Sequence, residues 1–229
     1  LGRTYHISTR VSGKKAEGLS MIQQAADMEF IPAIKYMMAK APESVYKVVK
    51  HMSEAPNADG EILCMLAHYY QEGIVVEKDI NKAITIFEKS ILKGNTDSML
   101  ELGWIFEQSE DVPHDYKRAF DLYSKAADLN NTAAMNNLGT CYKKGIGTED
   151  DKEKALACYT KAAELGNIEA YWNLYLYYMD GISTERNFKK AVEWLEKGDK
   201  AGNLECTFQL TMHIMNGDGI EEDANKYFM

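Results

Sequence analysis

Large apolar residues return along this chain with one period, and polar residues keep step with them. Leu66, Leu102, Leu138, Leu174 and Leu210 stand 36 residues apart, and Leu1 and Met37 extend the series backwards. Four positions after the five leucines stand Tyr70, Phe106, Tyr142, Tyr178 and Ile214. In the same register recur Lys82-Ala83, Arg118-Ala119, Lys154-Ala155 and Lys190-Ala191, then Phe87, Tyr123, Tyr159 and Leu195. Gly73, Gly145, Gly181 and Gly217 share a phase that Ser109 interrupts, whereas Asn95, Asn131, Asn167 and Asn203 hold theirs throughout. A fixed period of this size means stacked supersecondary units.

The interval around Leu138 shows what one unit is. Ala134, Leu138 and Tyr142 are four apart and share a helical face. Gly139 beside the leucine predicts close approach of a neighbouring helix backbone. Gly145-Ile146-Gly147-Thr148 breaks that helix, because glycine accepts positive φ and disfavours helix interiors. Asp150-Asp151 place negative charge before a second helix, where it suits the N-terminal dipole. Ala155, Tyr159, Ala162 and Ala163 form that helix's apolar stripe. Gly166 is placed to end it in a left-handed cap, and Asn167 to cap the next helix. Each unit is thus helix A, a glycine turn, helix B and a short turn. Neither helix buries its apolar face alone, so neighbours must stack.

The stretch from Ala133 to Asn167, AAMNNLGTCYKKGIGTEDDKEKALACYTKAAELGN, resembles the Sel1-like repeat family, a relative of the tetratricopeptide repeat. The tetratricopeptide period is 34, and the two further residues here fall in the A–B loop. Four copies keep strict register over residues 61–216. The resemblance implies an all-α fold, a right-handed α/α superhelix of stacked helix-turn-helix repeats. Residues 1–229 then read as one solenoid of about six repeats. Leu1-Gly2-Arg3-Thr4-Tyr5 aligns with Leu138 to Tyr142, and Lys226-Tyr227 with Lys154-Ala155, so both termini are expected to cut through a repeat of a longer array.

Two places depart from the pattern. Met37 to Leu66 is shortened to 29 residues, and Ala41-Pro42-Glu43 replaces the glycine turn. Proline there favours ending helix A and starting helix B at its first turn, which reads as a tightened repeat or as a local change of curvature. Tyr175 takes the phase of Gly103 and Gly139. Either the helices stand wider apart at that level or the tyrosine turns outward.

Composition narrows the function. A net charge of −9 argues against a general nucleic-acid binder or a basic membrane-surface protein. Arg3, Arg10, Lys14 and Lys15 are the basic exception, and the repeat register absorbs that stretch without a basic arm. No apolar run reaches the roughly 18 residues of a membrane-spanning helix. Cys64, Cys141, Cys158 and Cys206 are out of phase and read as reduced thiols, which favours the cytoplasm. The sequon Asn130-Asn131-Thr132 leaves the endoplasmic-reticulum lumen open.

Signatures of zinc hydrolases, phosphate loops and serine hydrolases are missing. Cys64 and His68 share a helix face, but a structural zinc site needs four ligands. Asp218 to Asp223 lacks the alternating oxygens of a calcium loop. The chain therefore reads as non-catalytic, without cofactor or metal.

In the tetratricopeptide relatives helix A lines the concave face, and the resemblance places the positions two before, two after and five after each leucine there. Trp104 is among them, and Trp172, Leu176 and Met179, then Phe208, Met212 and Met215, make a second apolar stripe beside the core stripe. That stripe either packs adjacent A helices together or forms a groove for a partner segment. Methionine suits adaptable surfaces and tryptophan binding hot spots. One position before the leucines stand Asn137, Asn173 and Gln209, amides that donate and accept and so suit the main chain of an extended peptide; the alternative is polar, solvated residues. The expectation is a protein-interaction scaffold or adaptor for another protein or peptide. Self-association through uncapped ends is a further expectation. The resemblance also implies roles in signalling, in endoplasmic-reticulum-associated degradation, or as the regulatory or docking part of a larger enzyme such as a kinase.

Overall fold

The computed structural model describes residues 20–216, and all regular structure among them is helical. The expectations for residues 1–15, for Gly217, for Asp218 to Asp223 and for Lys226-Tyr227 lie outside the described residues. Contacts divide the chain into two compact units, Leu1–Ser98 and Met99–Met229. In the first, a helical stretch through 20–27 precedes α1 (Ile31–Lys40), α2 (Pro42–Ser53), α3 (Gly60–Glu72) and α4 (Ile80–Leu92). Helix α5 (Thr96–Gln108) begins in the first unit and continues in the second. The second unit goes on with α6 (Tyr116–Asp128), α7 (Thr132–Lys144), α8 (Lys152–Glu164), α9 (Ile168–Asp180), α10 (Phe188–Lys200) and α11 (Leu204–Asn216). Within each unit an A helix packs on its own B helix, and that B helix on the next A helix.

Polar residues set the helix starts. Asn95, Asn131, Asn167 and Asn203 cap the A helices, each side chain accepting the N–H three residues on at 2.7–2.9 Å. Asp79, Asp115, Asp151 and Asn187 cap the B helices in the same way at 2.9–3.0 Å. The N–H of each of those four donates to the carbonyl of Tyr70, Phe106, Tyr142 or Tyr178, at 2.8–2.9 Å. The first-turn cation of the B helix then lies over that same ring. Lys82 is 4.1 Å from the Tyr70 centroid, Arg118 4.3 Å from Phe106, Lys154 5.4 Å from Tyr142 and Lys190 5.3 Å from Tyr178. The recurrent Lys/Arg-Ala pair is thereby explained: the cation covers an aromatic face, and the alanine is fully buried against the A helix.

The turns follow the glycines. Gly73, Gly145 and Gly181 end their A helices with φ of 69°, 70° and 66°. Where Ser109 interrupts the series, its buried hydroxyl accepts the Asp111 N–H at 3.2 Å. Gly166 has φ of 88°, as its place at the end of a B helix requires. Pro42 stands at the first position of α2, with only Ala41 between it and the end of α1.

The core departs from the sequence reading in one respect. The five leucines from Leu66 to Leu210 are buried. Their principal partners stand three residues on, not four: Tyr69, Ile105, Cys141, Tyr177 and His213 are all buried. Of the residues four on, Phe106 is buried, whereas Tyr70, Tyr142, Tyr178 and Ile214 are half-buried. Both offsets lie within one turn of the leucine, and at Tyr70, Tyr142 and Tyr178 a cation covers the ring nearer the surface.

Gly139 is close to a ring and not to a backbone. A methyl group built on it would lie 2.8 Å from the Tyr159 ring, and one on Gly103 2.6 Å from the Tyr123 ring. The glycines thus make room for tyrosines of the partner B helix. At the next level the sizes are exchanged. Tyr175 is buried, not turned outward, and it shares a cluster with Leu195, Ala191, Cys206 and Leu210. Leu195 holds the phase of Tyr159, so the ring that came from the B helix now comes from the A helix.

Candidate partner-binding site

The residues expected on the helix-A face fall in three groups. Trp104 on α5 is 45% exposed although its neighbours Gly103 and Ile105 are buried. In the second unit the same phase carries Thr140, Leu176 and Met212, all half-buried. Thr140 lies 3.1 Å from the Tyr159 hydroxyl. The row therefore runs apolar, polar, apolar, apolar across successive A helices.

Trp172, Leu176 and Met179 form the second group. They are partly buried and pack against the Tyr175–Leu210 cluster. The Trp172 ring lies 5.0 Å from that of Tyr175. These side chains join neighbouring helices while keeping one edge at the surface. Phe208 on α11 is 66% exposed.

The amides form the third group, and each is engaged within the chain. Asn137 stands beside the Tyr123 hydroxyl and acts to lower its pKa. The Asn173 Nδ2 donates to Asn136 Oδ1 at 2.9 Å. Gln209 Nε2 lies 3.3 Å from His213 Nε2, and Tyr175's hydroxyl lies 3.1 Å from the same nitrogen. The Asn173–Asn136 and Tyr175–His213 contacts link A helices of successive repeats, whereas Gln209 and His213 are one turn apart on α11. Glu107, five after Leu102, is one of the positions that the resemblance places on this face, whereas His213 escaped the sequence reading. Glu107 accepts the Tyr123 hydroxyl at 2.8 Å, and burial together with this carboxylate pushes the Tyr123 phenol well up. The signal for His213 was its place three residues after Leu210, the phase of Tyr69 and Tyr177.

Reactive groups elsewhere are quiet. Cys64, Cys141, Cys158 and Cys206 form no disulfide, and all but Cys158 are buried. Burial pushes the Cys141 thiol up to about 12 and the Cys206 thiol to about 11. Cys64 Sγ lies 3.8 Å from His68 Nε2, and no group of three metal-ligating side chains occurs among the described residues. The first unit holds an open cleft of about 550 Å³ beside the shortened repeat, lined by Glu29, His51, Glu54, Asp59 and Ile62 among others. Asp59 is already used as the N-cap of α3, accepting the Glu61 N–H at 2.7 Å.

The repeat geometry agrees with comparisons to known proteins. The Sel1 repeat family matches residues 62–95, 96–131, 132–167 and 168–203, and the chain belongs to that family. A Sel1 repeat protein from Oxalobacter formigenes is 25% identical with a TM-score of 0.75, covering 91% of this chain and 84% of its own. A protective antigen of uropathogenic Escherichia coli with the same repeat fold is 23% identical with a TM-score of 0.72, covering 90% of this chain and 46% of its own. No curated protein matches the chain. Sel1 repeat proteins are generally protein-interaction scaffolds, and their fold is typically non-catalytic. No helix among the described residues is long and apolar enough to cross a membrane.

Proposed function

We propose that this chain is a protein-interaction scaffold that docks a partner peptide or domain on the helix-A face of its second unit. Trp104, Leu176 and Met212 supply an apolar row, and Phe208, Trp172 and Met179 flank it. Asn137, Asn173 and Gln209 lie on its floor, already engaged within the chain. The exposure of Trp104 carries the reading. An indole that leaves 45% of its surface in water between two buried neighbours keeps a large apolar area for a partner to cover, and indoles dominate binding hot spots. A preorganised floor lowers the ordering cost of association. A reducing, cytoplasmic setting belongs to the same proposal, because three of the four thiols are buried without a disulfide.

The test is selection of displayed peptides on the intact chain, followed by affinity measurement on a Trp104→Glu/Leu176→Glu variant that still unfolds cooperatively. Selected peptides should bind the variant at least tenfold more weakly. Equal affinity for both chains would move recognition off this face.

A further inference from the structure

A different surface of the second unit carries its own signal. Two successive turns from a B helix to the next A helix are joined, Asn203 Nδ2 donating to the Ile168 carbonyl of the preceding turn at 3.0 Å, and the repeat register puts the turn of Leu129 at the same end of its helix pair, along one edge. Leu129, Leu165, Ile168 and Leu204 lie on this edge with 56%, 50%, 40% and 79% of their surfaces exposed. The turns do not require them. Lys93 and Ala201 hold the phase of Leu129 and Leu165, and Thr96 and Thr132 that of Ile168 and Leu204. The left-handed residue that ends each B helix is the next one along: Asn130, Gly166 or Gly202.

Acids accompany these apolar residues. Asp128, Glu164, Glu169 and Glu205 are exposed and adjoin Leu129, Leu165, Ile168 and Leu204 in turn. Asp128 and Glu164 are the last residues of α6 and α8. A carboxylate there faces the negative end of the helix dipole and is the wrong charge for helix stability. Lys125 and Lys161 sit about one turn back along the same helices, roughly 5 Å further from the edge. Lys200, exposed at the end of α10, holds the phase of Asp128 and Glu164. The edge thus sets one lysine against these four acids and is apolar and net negative, on a chain whose net charge is −9.

We propose that this edge docks a basic amphipathic helix of a partner protein, with leucine-like anchors on Leu129, Leu165, Ile168 and Leu204 and with lysines or arginines against the flanking acids. Helices pack roughly 8–10 Å apart, so two repeats of edge match a partner helix of about three turns. Anchors at i, i+3 or i+4 and i+7 would follow the apolar line. Charge complementarity selects the partner's sign and makes the association sensitive to salt.

The experiment measures binding of the whole chain to a 14-residue leucine–lysine helical peptide and to its leucine–glutamate counterpart. The lysine peptide should bind, weaken with salt, and lose at least tenfold in affinity in Leu129→Gln/Leu165→Gln, which leaves the net charge unchanged. Glu164→Gln/Glu169→Gln should weaken it further than Glu149→Gln/Glu153→Gln, an equal neutralisation of exposed acids away from the edge. Unfolding midpoints close to wild type confirm that the exposed substitutions leave the fold intact. Equal binding of both peptides, or unchanged affinity in the leucine variant, would overturn the proposal. So would a concentration-dependent dimer that Leu165→Gln abolishes, because the occupant would then be a second copy. Trp104→Glu should leave lysine-peptide binding unaltered, which separates this edge from the helix-A face.

Discussion

Tyr175 and Leu195 carry the sizes of Gly139 and Tyr159 in reverse. One repeat places a glycine on helix A and a ring on helix B, and the next places the ring on helix A and a leucine on helix B. Both solutions fill one slot with one aromatic ring, as close packing of an interior demands.

The exchange predicts a coupling. Leu195→Tyr alone overpacks the slot and should cost about 1–3 kcal/mol. Tyr175→Gly alone leaves a cavity in a helix interior and should cost at least about 3 kcal/mol. The double variant rebuilds the earlier arrangement and should be more stable than the sum of the two by about 1 kcal/mol or more. Denaturant unfolding of the four chains measures this directly, and strict additivity would mean that the two residues do not share the slot.

Tyr159 and Tyr177 should respond oppositely to loss of their hydroxyls. Both are fully buried, their rings 5.5 Å apart. The Tyr159 hydroxyl has Thr140 at 3.1 Å, whereas the Tyr177 hydroxyl has no protein partner among the described residues. Tyr159→Phe should destabilise by about 1 kcal/mol, and Tyr177→Phe should be neutral or stabilising, because an unsatisfied buried hydroxyl is unfavourable. Thermal unfolding of the two variants decides it.

Alkali should unfold the chain through its buried acids. Burial raises Tyr69 and Tyr159 to about 12 from an ordinary 10.0, and Cys141 to about 12 and Cys206 to about 11 from 9.0. The unfolded chain therefore releases these protons first. Their contribution to stability is complete below about pH 9 and is lost as pH rises from there through about 12. Circular dichroism and tyrosinate absorbance followed together should show one coincident transition for these buried groups. Tyrosinate forming at Tyr69 and Tyr159 well before helix loss would contradict it. At pH 8 a thiol reagent should label Cys158 ahead of Cys141 and Cys206 in the native state.

Two tryptophans of the helix-A face should separate in their effects. Trp104→Ala removes a side chain with 45% of its surface in water and should cost less than Trp172→Ala, because less apolar area leaves the interior. Trp172→Ala removes packing on the Tyr175 cluster and should cost at least about 1 kcal/mol. Chemical denaturation compares them, and equal costs would erase the distinction between a presented residue and a packed one.

What the sequence determined by itself is the repeat and its punctuation. The period, Asn167 as a cap, Gly166 as a left-handed stop and Pro42 at a helix start are local, since each depends on residues three or four away along one chain. The buried leucines followed from the same period. Tertiary structure decided which flank of a helix meets its neighbour. Positions three and four after a leucine lie on the same broad face, and only the packed B helix, with Lys82 or Lys154 over the outer ring, assigns Tyr69 or Cys141 to the core. Tyr175 broke a phase whose rule was unseen in the sequence, because the rule concerns the combined volume of Tyr175 and Leu195, twenty residues apart. The amides Asn137, Asn173 and Gln209 looked alike in one dimension. Their partners Tyr123, Asn136 and His213 come from neighbouring helices or the next helical turn, where packing and not spacing selects the contact.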